Sequence, residues 1–128
     1  MKTVNQELLP ETEYGVPSGN YDGSSETEFS SDRLKGVGYY KTNATSQTIR
    51  FTSNDFVGTI VIQGSLDADP DTDTQWFDAY TFPGDSTIDG STAVTTSYSI
   101  TLQGNFTWLR AKVQDFTGGT INSVLLTY

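Results

Sequence analysis

The sequence predicts an all-β protein: a single, jelly-roll-like β-sandwich with an extended N-terminal arm. Three observations carry that reading. Aromatic residues reach 12% while hydrophobic residues total only 34%, a balance that suits short strands around a thin core and does not suit a disordered chain. Residues 94–102 alternate strictly, as a strand with one wet face does, and residues 48–52, 56–65 and 106–113 set their side chains on opposite faces in turn, the period of a strand. No segment carries an apolar stripe at the 3.6-residue period of a helix.

Taken in order, residues 36–42 read as a first short strand and residues 48–52 as a second, closed by the turn cluster Ser53-Asn54-Asp55. Residues 56–65 are the strongest strand, with Phe56, Gly58, Ile60 and Ile62 on one face and Val57, Thr59, Val61 and Gln63 on the other. An Asp-rich loop with Pro70 follows, then a strand over 76–82 ended by Pro83-Gly84-Asp85. Residues 94–102 alternate strictly, and Gln103-Gly104-Asn105 turns the chain back into 106–113. Gly118-Gly119 makes the last turn before a strand over 121–128. About seven or eight short strands at this spacing argue for a sandwich or flattened barrel. Asn54-Asp55-Phe56-Val57-Gly58 is echoed by Gln114-Asp115-Phe116-Thr117-Gly118, which reads as two similar turns at equivalent sandwich edges.

The chain divides at residue 35. Residues 1–35 carry seven acidic side chains, two prolines and scattered apolar residues without period. A polar segment of this kind cannot order itself alone. It is expected to be an arm ordered by a neighbouring subunit, anchored through Leu8, Leu9, Tyr14, Val16, Tyr21 and Phe29, with residues 36–128 as the sandwich domain. Removing the arm should then leave the sandwich folded.

Charge and composition exclude several function classes. Sixteen Asp and Glu against seven Lys and Arg give a net charge of −9, so nucleic acid and anionic membrane are not expected partners. The first ten residues hold one Lys and no apolar run, so no secretory leader is expected. His and Cys are both absent, which removes the commonest acid–base group, thiol chemistry and Ser-His-Asp catalysis. Every Glu lies within the first twenty-eight residues, and the later Asp residues sit mostly in turns, where Asp bonds its own backbone. No paired carboxylates stand on rigid strands, so no catalytic residues are expected and the protein reads as non-enzymatic.

Two binding motifs remain. Asp67, Asp69, Asp71 and Asp73 alternate in one loop and could turn several carboxylates onto calcium, although Thr72 stands where an EF-hand turn wants Gly and no helices flank the loop. Otherwise no cofactor is expected. Trp76 and Trp108, each in an aromatic cluster, are candidate stacking platforms for a glycan, set against the simpler reading of core packing. Arg110 and Lys112 share one strand face, placed there either for ion pairing or for a subunit contact.

The segments Ile49-Arg50-Phe51, residues 56–66, Asp69-Pro70, Trp76-Phe77, residues 104–113 and Gly119-Thr120-Ile121 resemble small virion structural proteins of tailed bacteriophages, particularly phages of aquatic bacteria. The likeness covers roughly residues 36–128. It implies a virion component assembled in the host cytoplasm, with other capsid or tail subunits as partners. Within that class, capsid decoration or cementing through the arm is the leading expectation, and a neck, tail or fibre role the alternative. A symmetric homo-oligomer is expected, a trimer at capsid sites. The run Gly64-Ser65-Leu66-Asp67 leading to Trp76-Phe77 also resembles galactose-binding, discoidin-type sandwiches, which implies a glycan-binding module for host attachment.

Overall fold

The computed structural model describes residues 5–23, 28–40, 46–70, 73–82, 93–104 and 106–127. Eight strands run in chain order: β1 (Asn5–Leu9), β2 (Thr12–Glu13), β3 (Phe29–Ser30), β4 (Leu34–Lys35), β5 (Ser46–Ser65), β6 (Phe77–Phe82), β7 (Val94–Gln103) and β8 (Trp108–Thr127). Short 3-10 turns occupy Val37–Tyr40 and Asp73–Gln75, and no α-helix occurs among the described residues. The protein is all-β, as its alternation requires.

All eight strands belong to one antiparallel sheet organised on two twenty-residue strands, β5 and β8. These pair along their whole length, from Thr48 opposite Thr127 to Ser65 opposite Trp108. Their outer edges are covered in a matching way. The first half of β5 pairs with β7 and its second half with β6. The first half of β8 pairs with β4 and β3, and its second half with β2 and β1. The N-terminal segment thus serves β8 as the β6–β7 pair serves β5.

A single sheet becomes a sandwich because both long strands bend at the same level. Phe51 and Ile60 would lie about 30 Å apart on a straight strand. Yet the Phe51 ring stacks on that of Phe82, the partner of Ile60, at 4.6 Å and 8°. The bend falls where the register slips between Asn54 and Thr59. There the buried positions of β5 switch from odd (Ile49, Phe51, Ser53) to even (Phe56, Ile60, Ile62), the mark of an inserted residue. Asp55 and Asp115 both take positive φ, 53° and 54°, a conformation that short polar side chains tolerate. The two echoed segments are therefore facing bulges in the middle of the sheet, not turns at its edges. Phe56 and Phe116, the residues after each bulge, meet at 5.7 Å in the core.

The bend depends on Gly119, whose φ is +79° and whose missing Cβ leaves room for the Asp55 carbonyl. Any side chain would collide with that backbone. Gly119→Ala is expected to cost about 2–4 kcal/mol through strain and displacement, measured as a lower urea midpoint. An unchanged midpoint would show that the bend does not require this close approach.

The sequence-based boundaries of β6 and β7 agree with the structure to within about one residue. Other expectations need correction. The strand expected over 36–42 is a 3-10 turn at Val37–Tyr40, with 41 and 42 outside the described residues. The turns expected at Ser53-Asn54-Asp55 and Gly118-Gly119 lie inside continuous strands. The N-terminal segment is no free arm. It pairs with β8 at four places, and Leu8, Leu9, Tyr21 and Phe29 are all at least 94% buried in the common core. Its apolar residues lack a period because each short strand matches a separate stretch of the bent partner.

Among the described residues, no buried polar side-chain atom lacks a hydrogen-bond partner. Gln47 donates to the Leu102 carbonyl at 2.8 Å, and the Ser53 hydroxyl donates to the Val94 carbonyl at 2.9 Å. Burial, together with a hydrogen bond to Tyr98, pushes the Tyr80 hydroxyl up from 10.0 to about 12. Because the folded chain holds this proton more tightly, the stability it contributes is intact below pH 10 and is lost as the pH rises toward 12. The urea midpoint should fall across that window, and fall less steeply in Tyr80→Phe. Identical pH profiles would assign alkaline sensitivity elsewhere.

Candidate functional site

The outer face of the half-sheet β4–β8–β5–β6 gathers side chains that do not share a stretch of sequence. Register fixes them in rows. Lys35, Trp108 and Ser65 stand opposite one another across β4, β8 and β5. Arg110, Gln63 and Asp78 form the next row across β8, β5 and β6. Trp108 and Arg110 are two residues apart on one strand, so their side chains emerge on the same face about 7 Å apart.

The second row is a hydrogen-bonded ladder. Gln63 donates from Nε2 to Asp78 Oδ1 at 3.0 Å and accepts from Arg110 Nε at 2.7 Å. Its amide orientation is therefore set by a carboxylate on one side and a guanidinium on the other. The Arg110 guanidinium lies 4.4 Å over the Trp76 ring. Gln63 is buried beneath this cover although it points away from the core.

The first row holds the loop that follows β5. Trp108 donates from its indole nitrogen to the Ala68 carbonyl at 2.9 Å. The Arg33 guanidinium lies 4.3 Å over the Trp108 ring and donates to Asp69 Oδ1 at 2.9 Å and to the Pro70 carbonyl at 3.3 Å. Tyr39 meets Trp108 edge-on at 5.2 Å, and Lys35 Nζ stands 4.5 Å over Tyr39. Further along the face, Lys112 pairs with Glu28 at 3.1 Å. Four of the chain's seven basic residues thus converge here, each near an acidic or aromatic group. The ion pairs are exposed, and each cation–π contact contributes only about 0.5–1 kcal/mol. Their main effect is to fix the aromatic rings in place.

Each residue singled out from sequence has a definite place. Trp76 and Trp108 stand half-buried on this face, and one face of each indole is covered by a guanidinium. Leu8, Leu9, Tyr21 and Phe29 are internal, so the contacts expected with a neighbour are made within the chain. Tyr14 and Val16 are exposed at 39% and 47%, although the Tyr14 ring also packs edge-on against Phe116 at 5.5 Å. Among the calcium candidates, Asp69 is held by Arg33 and Asp67 is exposed. Asp71 lies outside the described residues, and the backbone of Asp73 opens a 3-10 turn. No group of three acidic side chains converges among the described residues. Sequence reasoning missed Arg33, Lys35, Tyr39, Gln63 and Asp78 as members of one face, because only strand register brings them together.

The fold and this face define a sandwich-like all-β module that presents a fixed aromatic and cationic surface. No family model matches the chain, and no curated protein does. Among solved structures it is similar to the K3 cleaved adhesin domain of Lys-gingipain from Porphyromonas gingivalis w83, with 12% identity and a TM-score of 0.43 over 98% of this chain and 74% of that one. It is also similar to the K2 cleaved adhesin domain of Lys-gingipain, with 12% identity and a TM-score of 0.37 over 74% of this chain. The match spans 57% of that K2 domain.

Proposed function

We propose that the chain is a non-enzymatic structural module of a tailed-phage virion, decorating or cementing the capsid through the outer face of β4–β8–β5–β6. The observation that carries this reading is the gathering of Trp76, Trp108, Tyr39, Arg33 and Arg110 on one face of an acidic chain. Trp, Tyr and Arg are the residue types that concentrate binding energy at protein interfaces, especially where neighbours hold them rigid. The phage context comes from the resemblance of the strand and turn residues. The first thirty-five residues belong to the module itself in this mechanism, so attachment falls to the outer face.

Particle reconstitution tests it. Arg110→Ala and Trp76→Ala alter half-buried surface side chains and should leave the fold intact by circular dichroism. Binding to particles that lack the protein should weaken about tenfold or more. Wild-type occupancy by the folded variants would sink the proposal. Electron cryo-microscopy of intact particles would show whether this face meets the capsid lattice or another part of the virion.

A second reading, glycan binding on a tail fibre, is favoured by the Asp78–Gln63–Arg110 ladder beside Trp76. The exposed Asp78 carboxylate at the end of the ladder and the uncovered face of the half-buried Trp76 indole offer a sugar a hydrogen-bond acceptor and a stacking surface. Titrating host surface polysaccharide should then shift tryptophan fluorescence, whereas an unchanged spectrum would exclude contact at either indole.

A further inference from the structure

The two sides of the sheet treat their edges differently. The outer edge of β8 is covered by four strands of five, two, two and two residues. These carry Glu7, Glu13 and Lys35 and are broken by Pro10 and Pro17. Strand β6 is six residues long and carries Asp78. Short length, charge and proline are the ordinary means by which a sheet edge is kept from pairing with another chain. Strand β7 has none of them. It runs ten residues, its only partner among the described residues is β5, and no charged side chain occurs from residue 93 to residue 109. In a chain of net charge −9, this is, among the described residues, the one long strand edge at which a second acidic copy meets no repulsion on the strand itself.

The sequence of β7 is also close to palindromic about Tyr98. Ser97 mirrors Ser99, Thr95 mirrors Thr101, and Val94 mirrors Leu102. An antiparallel pair formed by two copies of one strand must place residue i of one opposite residue j of the other, and j opposite i. Centred on Tyr98, that operation sets hydroxyl against hydroxyl on the outer face. On the inner face it sets Val94 against Leu102, Thr96 against Ile100 and Tyr98 against Tyr98, so Thr96–Ile100 is the one pair that departs from the palindrome. Cross-strand Ser/Thr and aromatic pairs are favourable ones. The inner side chains are not fully covered within one chain. Val94, Ile100 and Leu102 are only partly buried at the margin of the core, and Tyr98 is 47% exposed.

We propose that β7 is a homodimer edge: two copies pair antiparallel through residues 94–102, with Tyr98 on the two-fold axis, making one sheet continuous across both chains. The surface is separate from the aromatic and cationic face and does not depend on its role. The arrangement yields a dimer, since an isologous edge pair closes on itself.

Sedimentation velocity of the whole chain over a wide concentration range should show a species of twice the 14.0 kDa monomer mass. The double variant S97K/S99K sets lysine opposite lysine on exposed positions and should weaken association about tenfold or more while the monomer stays folded. Because the chain has no cysteine, Tyr98→Cys supplies an independent readout. Opposed residues of an antiparallel pair fall within disulfide reach, so oxidation should give a covalent dimer, and Thr95→Cys should not. A wild-type chain monomeric at every concentration would overturn the proposal. So would a dimer indifferent to S97K/S99K, or equal crosslinking at positions 95 and 98.

Discussion

Deleting residues 1–35 should leave the remaining chain unable to fold. That segment supplies Leu8, Leu9, Tyr21 and Phe29 to the core, and burying each such side chain contributes about 1.5–3 kcal/mol. Together they account for about 6–12 kcal/mol, comparable to the whole stability of an ordinary domain, about 5–15 kcal/mol. The deletion also uncovers the outer edge of β8 along 108–113 and 120–127, where β1 to β4 now pair. An unpaired edge beside an opened core favours aggregation. Circular dichroism and size-exclusion chromatography of the truncated chain should therefore show loss of the cooperative unfolding transition and soluble aggregates. A truncated chain that melts cooperatively near the wild-type temperature would restore the idea of a separable arm.

The second large effect is expected at Phe116. Its ring meets Tyr14 at 5.5 Å, Tyr21 at 5.3 Å, Phe56 at 5.7 Å and Phe29 at 6.2 Å. It therefore joins the N-terminal segment, the bend in β5 and the bulge of its own strand. Phe116→Ala removes the shared partner of four rings and leaves a cavity that the sheet backbone around it cannot easily close. Such truncations cost about 3–5 kcal/mol. The urea midpoint should fall accordingly, with the slope of the transition unchanged if unfolding stays two-state. Phe116→Leu should recover much of the loss by refilling the volume. A loss below about 1 kcal/mol would mean that the site collapses readily and that the aromatic cluster does not hold the segment down.

Particular elements show how far the sequence carries. Residues 94–102 alternate without interruption, and β7 follows them closely because a strand with one wet face writes its period directly into the chain. Residues 56–65 are also strand, but they continue β5 from Ser46 without a turn, and from Ile60 to Ser65 both faces are buried. Asp55-Phe56 and Asp115-Phe116 were visible as a pair of similar segments, but a turn and a bulge have similar local chemistry. Both use a short polar residue at positive φ. What separates them is whether the chain continues to pair with a partner afterwards, and that partner lies about sixty residues away. The N-terminal segment differs from its sequence expectation for a related reason: two-residue strands are too short to show a period, and their pairing is supplied by β8. The functional face was partly legible. Trp76, Trp108, Arg110 and Lys112 stood out from sequence, whereas Arg33, Lys35, Tyr39, Gln63 and Asp78 did not.

The sequence by itself determined the all-β class, the inward and outward faces of residues 94–102, and the lack of His and Cys that narrows the chemistry open to this chain. Those properties are local or compositional, and each residue states them without reference to distant ones. Only the tertiary structure decided that one sheet bends into both layers, that Leu8, Leu9, Tyr21 and Phe29 of the N-terminal segment complete its core, and that two tryptophans are capped by guanidiniums from elsewhere in the chain. These follow from register between distant strands, which depends on the summed fit of many side chains and is not written in any single segment.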